Sequence, residues 1–211
     1  MSTITKTRQQ KFTEVYHKNT WNGTESLSGT GSDLAQTSLL RKILPALLQD
    51  LAADSLVDAP CGDMHWMKDI PWESLNIAYT GVDIVPDLIE KNRRSFPTRR
   101  FECLDLVTDI LPKANIIFCR DCLVHLPLAE VQTVIRNFIK SGAAWLLTTT
   151  FPTRPNNPDV RWSGWRPLNL EAAPFNFPAP FRLFNEHCTE DNGQYADKSL
   201  ALWRLSELAT R

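Results

Sequence analysis

The chain has 211 residues, 43% of them hydrophobic and 22% charged, with 23 basic side chains against 24 acidic ones, a length that suits one globular domain and leaves no room for a second. A net charge of -1 and a pI near 6.4 disfavour nucleic acid as a partner. No stretch approaches the ~18 consecutive apolar residues of a membrane span, and the opening M-S-T-I-T-K-T-R-Q-Q lacks the apolar centre of a secretory signal. A cytoplasmic, reducing setting is therefore expected. Five cysteines, an odd number without framework spacing, agree with free thiols. Cys119 and Cys122 form one C-x-x-C, read as ordinary thiols because no second pair exists for a zinc site and Cys119 ends an apolar run.

From the N-terminus, Thr7 to Asn19 has mixed polarity with Phe12, Val15 and Tyr16 as a partial helical stripe, and reads as a helix or arm. Trp21 to Ser32 is rich in Gly and Ser. Composition makes it a flexible linker, whereas its place ahead of a strong helix makes it a lid. Thr30, Gly31 and Ser32 are the expected caps of that helix, Leu40, Ile43, Leu44, Leu47, Leu48 and Leu51 its apolar face, and Pro45 its kink.

Residues 55 to 67, S-L-V-D-A-P-C-G-D-M-H-W-M, predict the first strand of an α/β sheet and the ligand-binding turn behind it. Pro60 and Gly62 turn the chain, and Asp63 caps a short helix carrying His65, Trp66 and Met67, which Pro71 ends. His65 reads as a surface or packing residue. A dinucleotide fingerprint needs G-x-G-x-x-G, and this turn has only Gly62. There is no G-x-x-x-x-G-K-[ST] either, and Asp58 with Asp63 would set two carboxylates beside any phosphate. A ligand without phosphate fits better, and S-adenosylmethionine is one. Asp58 or the turn carbonyls suit its ammonium, amides near Gly62 its carboxylate, and Asp83, 25 residues after Asp58 in Y-T-G-V-D-I, its ribose diol.

Ala78 to Ile84 is the second strand, Pro86 to Arg94 a helix, Arg100 to Leu104 the third strand and Asn115 to Arg120 the fourth. Pro127 opens a helix with Leu128, Val131, Val134, Ile135 and Phe138 on one face, and Ala143 to Thr149 is the fifth strand. This alternation predicts a parallel sheet. Phe151 to Pro180 holds seven of the 14 prolines and two of the seven tryptophans. It is too proline-rich for a helix or a central strand and too aromatic for disorder, so it reads as the wall or lid of a substrate pocket. Phe181 to His187 and Ser199 to Leu208 read as two last strands, joined through Asn192 and Gly193.

In motif order, V-D-A-P-C-G-D, G-V-D-I, E-C-L-D-L and I-I-F-C-R-D-C-L-V-H-L, the stretch from Ser55 to Pro152 resembles the class I S-adenosylmethionine-dependent methyltransferases. It departs from their glycine-rich first motif, with Pro60 and Met64 where glycines are common. W-N-G-T-E-S-L-S-G-T-G-S, L-T-T-T-F-P and W-R-P-L-N-L extend the likeness to a narrower group of bacterial methyltransferases, which carries the chemistry and not the substrate. The resemblance implies a Rossmann-like seven-stranded, mostly parallel sheet with helices on both faces and a C-terminal antiparallel hairpin. Residues 1-54 would then hold N-terminal helices and the lid, 55-150 the cofactor-binding core, and 151-211 the substrate-side loop and final strands. The implied cofactor set is Trp21 and Ser32 from the lid, Asp58, Ala59 and Gly62 from the turn, Asp83 and Ile84 at the ribose, Asp105 and Leu106 at adenine, and Arg120 at the fourth strand end. Asp109 is the alternative to Asp105.

Methyl transfer from a sulfonium is an in-line displacement, and positioning alone can be worth ~7 kcal/mol or more. Asp121 and His125 follow the fourth strand, where such sheets place their reactive edge. His125 is the candidate base, or equally a cofactor-pocket or capping residue. For a small-molecule substrate, Trp162 and Trp165 are candidate walls through cation–π attraction or simple packing. Arg166 and Asn169, with Glu186 and Lys198, are candidate polar contacts or surface ion pairs. The competing readings are a non-catalytic S-adenosylmethionine-binding regulatory protein and a nicotinamide-dependent oxidoreductase. Nothing in the sequence fixes the oligomeric state.

Overall fold

The computed structural model describes residues 6–208. A helix, α1 (Arg8–His17), is closed at its start by a capping box: Thr7 accepts from the Gln10 amide while Gln10 accepts from the Thr7 amide. After an irregular stretch come α2 (Leu40–Asp50), β1 (Ser55–Asp58), α3 (Trp72–Leu75), β2 (Ala78–Asp83), α4 (Pro86–Ser95), β3 (Arg100–Cys103) and β4 (Ile116–Cys119). Then follow α5 (Leu128–Lys140), β5 (Trp145–Thr150), β6 (Arg182–Asn185), α6 (Glu190–Gly193), β7 (Ser199–Arg204) and α7 (Leu205–Leu208).

The strands form one seven-stranded sheet in the order β3-β2-β1-β4-β5-β7-β6. β1 to β5 run parallel, and β7 runs antiparallel to both β5 and β6. Neighbouring residues on a strand serve opposite faces, which divides the core in two. Val57, Ile117, Leu146 and Trp203 pack with Val131, Val134 and Phe138 of α5. Leu56, Ile116, Leu147 and Leu202 pack on the other face with Leu40, Leu44, Leu47 and Leu48 of α2. Every residue of β4 is buried, as expected of a parallel strand covered on both sides. The order of connection reverses between β1 and β4, so the ends of these strands open a crevice where ligands bind in such sheets.

Three local expectations are corrected. Thr30–Ser32 forms a separate 3₁₀ turn and does not cap α2, which starts at Leu40 behind Leu39 with no side-chain cap. Hydrogen bonds from Thr37 to Asp33 and from Arg41 to Thr37 carry helix-like turns through the gap, so α2 has no sharp start to cap. The segment after the turn holds only a 3₁₀ turn over Met67–Asp69, and Pro71 precedes a further helix, α3. The last strand stops at Arg204, where Leu205 and Leu208 change from period two to helical spacing and form α7.

Candidate functional site

The loops after β1, β2, β3 and β4, with α1 and the segment after it laid across them, enclose a cleft with about 140 Å³ of space open to water-sized molecules. Asp58, Gly62, Asp83, Ile84, Asp105, Leu106, Arg120, Asp121, Trp21 and Ser32 all line it. The predicted cofactor set is thus brought together, with one exception. Ala59 is fully buried outside the cleft wall and donates its amide to the Phe118 carbonyl at 2.9 Å.

The turn after β1 is laced to both neighbouring strands. Cys61 donates to the Val82 carbonyl at 2.8 Å, and Gly62 donates to the Asp83 carboxylate at 3.2 Å. The Gly62 amide is therefore spent inside the protein. Gly62 has φ of +53° and lies under Ser28, whose hydroxyl would stand 2.3 Å from an added Cβ. Only glycine lets the segment around Ser28 approach the turn this closely. Asp63 caps no helix. It accepts from the Ser26 hydroxyl and the Leu27 amide, both at 2.8 Å, and from the His65 amide at 3.2 Å, tying residues 26 and 27 over the cleft.

Asp58 is buried at the cleft wall with the Tyr79 hydroxyl at 2.6 Å. Burial pushes its carboxyl up to about 8, the Tyr79 hydrogen bond offsetting only part of the cost. Asp83 is raised by burial to about 6, held back by amides including those of Val85 and Gly62. Its two oxygens accept from Val85 at 3.1 Å and from Gly62, the Ile84 amide also bonds the carboxylate, and of about four lone-pair positions one is left for a further donor. At the end of β3, Asp105 is bound to the Arg8 guanidinium and accepts from the Val107 amide at 2.9 Å. Asp109 accepts from the Asp105 amide at 2.8 Å and stays out of the cleft wall. Of the two candidate acids, only Asp105 faces the cleft.

At the end of β4 a buried charge cluster forms. Arg120 donates to Glu186 at 2.7 Å and to the Gly31 carbonyl at 2.9 Å, and Lys198 donates to Asp121 at 2.6 Å. Burial alone would raise the Asp121 carboxyl, but Lys198 and Arg120 override it and hold it well below the usual range. An acid held in that way is a poor proton acceptor. The His125 ring stacks on Trp21 with centroids 4.9 Å apart, its Nδ1 lies 2.8 Å from the Gly164 carbonyl, and it is absent from the cleft wall. Burial lowers its pKa, leaving the ring neutral with the Nδ1 proton on the carbonyl. It meets the cleft through Trp21.

None of the four predicted substrate residues lines the cleft. Trp162 donates to Glu130 at 2.8 Å and carries the Arg8 guanidinium 5.3 Å from its ring. Trp165 packs on Phe151 and Tyr195. Arg166 is buried and donates to the Leu123 and Val124 carbonyls. Asn169 donates to the Pro152 and Arg154 carbonyls, fixing the 151–180 loop to itself. The cleft wall that sequence reasoning missed comes instead from Arg8, Phe12 and Tyr16 of α1 and from His65, 3.1 Å from Glu25. The spacing of Phe12 and Tyr16, four apart, was the available signal.

The donor set fits S-adenosylmethionine. Asp58 is a buried acid that an ammonium would ionise, Asp83 faces the cleft with an acceptor position left for a ribose hydroxyl, and Leu106 and Leu104 supply apolar surface beside Asp105. The Trp21 indole nitrogen is buried without a partner among the described residues, a donor left for a ligand. Among those residues no group of side chains could hold a metal ion, and no helix is long and apolar enough to cross a membrane.

No protein-family model matches the sequence, and no curated protein matches it. Solved structures do. The chain is similar to 1,6-didemethyltoxoflavin-N1-methyltransferase of Burkholderia thailandensis with 1,6-didemethyltoxoflavin and S-adenosylhomocysteine bound, at 14% identity over 93% of this chain and 86% of that one, TM-score 0.61. It is similar to human N-acetylserotonin methyltransferase in complex with S-adenosylmethionine, at 13% identity over 93% of this chain and 55% of that one, TM-score 0.58. It is also similar to magnesium protoporphyrin IX methyltransferase of Synechocystis PCC 6803 with bound S-adenosylmethionine, at 14% identity over 75% and 83% of the two chains, TM-score 0.56. At such identities the likeness is one of fold. The protein has the Rossmann-like fold of S-adenosylmethionine-dependent methyltransferases.

Proposed function

We propose that the protein is an S-adenosylmethionine-dependent methyltransferase acting on a small molecule. The observation that carries this reading is the row of acids Asp58, Asp83 and Asp105 on one cleft wall, at or beside the ends of three adjacent strands. Their order matches the ammonium, the ribose diol and the adenine amine of one extended ligand. The fold shared with methyltransferases that bind this cofactor supports the same reading. When bound, the cofactor supplies an electrophilic methyl group. The chain's own share is to orient it, through Asp83 and Asp58, and to keep water out with Phe12, Tyr16 and Trp21.

Isothermal calorimetry separates this from a dinucleotide enzyme: S-adenosylhomocysteine is expected to bind and NAD is not. Binding of NAD alone would overturn the assignment. A methyl-transfer screen with labelled S-adenosylmethionine then separates an enzyme from a binding protein. Failure to transfer to any acceptor, with the cofactor bound, would favour a regulatory role.

A further inference from the structure

The cleft wall carries five aspartates, Asp58, Asp63, Asp83, Asp105 and Asp121. Against them stand two arginines, Arg8 and Arg120, and neither is free. Arg8 is bound to Asp105 and, at 2.7 Å, to Glu130, while Arg120 is bound to Glu186 at 2.7 Å and lies 3.2 Å from Asp121. Lys198, behind the wall, is taken by Asp121. The second row of charge adds Glu130 and Glu186, so even with Asp58 holding its proton the acids outnumber the cations, which are already compensated. Low-dielectric walls focus such a field. The remaining wall is aromatic and apolar, with Phe12, Tyr16, Trp21 and Leu126. Aromatic faces attract cations as carboxylates do.

From this charge balance, and resting on the methyltransferase reading, we propose that the methyl acceptor is a basic amine carried on an apolar or aromatic body. A carboxylate or phosphate acceptor would have to compete with Glu186, Asp121, Glu130 or Asp105 for its cation, and displacing Glu186, whose side chain is 1% exposed, would leave a buried acid without that partner. S-adenosylmethionine brings a sulfonium, an ammonium and one carboxylate, so with it in place the acids still outnumber the cations. A protonated amine is drawn in, gives its proton to water, and attacks with the freed lone pair. The new C–N bond forms as the methyl–sulfur bond breaks, its electrons staying on sulfur, and the product is the methylated ammonium and a neutral thioether. A base with the strength of His125 is not required, since the amine's own acid–base equilibrium supplies the lone pair.

The test uses matched ligands that differ only in charge: phenethylamine, 2-phenylethanol and phenylacetate, and tryptamine, tryptophol and indole-3-acetate. Their affinities are measured by nuclear magnetic resonance titration of the full chain, with and without S-adenosylhomocysteine. The indole N–H signal of Trp21, assigned with Trp21→Phe, reports occupation of the cleft. In each set the amine is expected to bind about tenfold or more tightly than the carboxylate and to move the Trp21 signal, with an advantage that shrinks as salt is raised. Equal or tighter binding of the carboxylates, an amine advantage indifferent to salt, or no binding by any member would overturn the proposal. The preference belongs to the cleft walls, so it is read in the protein alone even if S-adenosylhomocysteine fails to bind. That failure would remove the methyltransferase reading and with it the amine's role as methyl acceptor, leaving a cleft that only prefers amines; a carboxylate preference with S-adenosylhomocysteine bound would remove the acceptor proposal alone.

Discussion

Asp58→Asn tests the central acid of the cleft. In the folded protein without ligand the Asp58 carboxyl is pushed up to about 8 by burial, against an ordinary value of 3.8. The folded state therefore holds this proton more tightly than the unfolded chain does. The sign follows: Asp58 contributes most to stability below about pH 4, and that contribution is lost as pH rises towards 8. One proton corresponds to about 1.4 kcal/mol per pH unit, so between pH 5 and pH 7 the wild type should lose about 3 kcal/mol relative to the variant. Asparagine keeps an oxygen for the Tyr79 hydroxyl at 2.6 Å, so the local hydrogen bond survives while the titration is removed. Asp83, raised to about 6, titrates in both proteins, and because its charge also helps to raise Asp58 it cancels only in part in the difference. Urea unfolding at pH 5, 6 and 7 with linear extrapolation gives the comparison. A difference that stays constant over this range would refute the buried-acid account. A ligand ammonium that ionises Asp58 must also expel the proton, so calorimetry of S-adenosylhomocysteine at pH 7 in buffers of unlike ionisation heat should show release approaching one proton.

Asp83→Ala should weaken S-adenosylhomocysteine binding by about 1.5 to 3 kcal/mol, the range for hydrogen bonds to a charged group; unchanged calorimetric affinity would remove Asp83 from the site. Gly62→Ala places a methyl group 2.3 Å from the Ser28 hydroxyl at a φ of +53°, and should cost about 1 kcal/mol or more of stability while speeding proteolysis near residues 26 to 28. Bound S-adenosylhomocysteine should slow cleavage between Trp21 and Ser32 if that segment is a lid, and equal cleavage in both conditions counts against one. His125→Gln should leave turnover within about tenfold of wild type while lowering stability through the lost Trp21 contact; a fall of ~100-fold or more with an altered acidic limb would restore His125 as the base.

What was legible in the sequence was whatever a strand end displays locally. Asp58, Asp83 and Asp105 are each the last residue of a strand or lie close after one, and their order along the chain is their order across the sheet. The part of the cleft wall that α1 supplies was not legible because pairings over long separations decide it. Proline and aromatic content marked 151–180 as ordered and irregular, yet Trp162 is drawn out to Glu130 on α5, and Asn169 spends its amide on the loop's own carbonyls. The role of Arg8 depends on Asp105 and Glu130, 97 and 122 residues away, and no local pattern announces such contacts. The caps expected at Thr30 to Ser32 failed for a related reason: the Gly31 carbonyl is claimed by Arg120 and the Thr30 hydroxyl by Glu190 at 2.6 Å.

Those contacts make the N-terminal segment part of the site. Four of its ties reach the cleft: Arg8 to Asp105 and Glu130, Trp21 to His125, Ser26 and Leu27 to Asp63, and Gly31 to Arg120. Each fastening point is also a cleft-lining group or touches one, because Asp105, Asp63, Arg120 and Trp21 all face the cavity. A ligand that engages these side chains changes the strength of the ties themselves, and occupation of the cleft and closure of its cover are thereby linked through the same atoms.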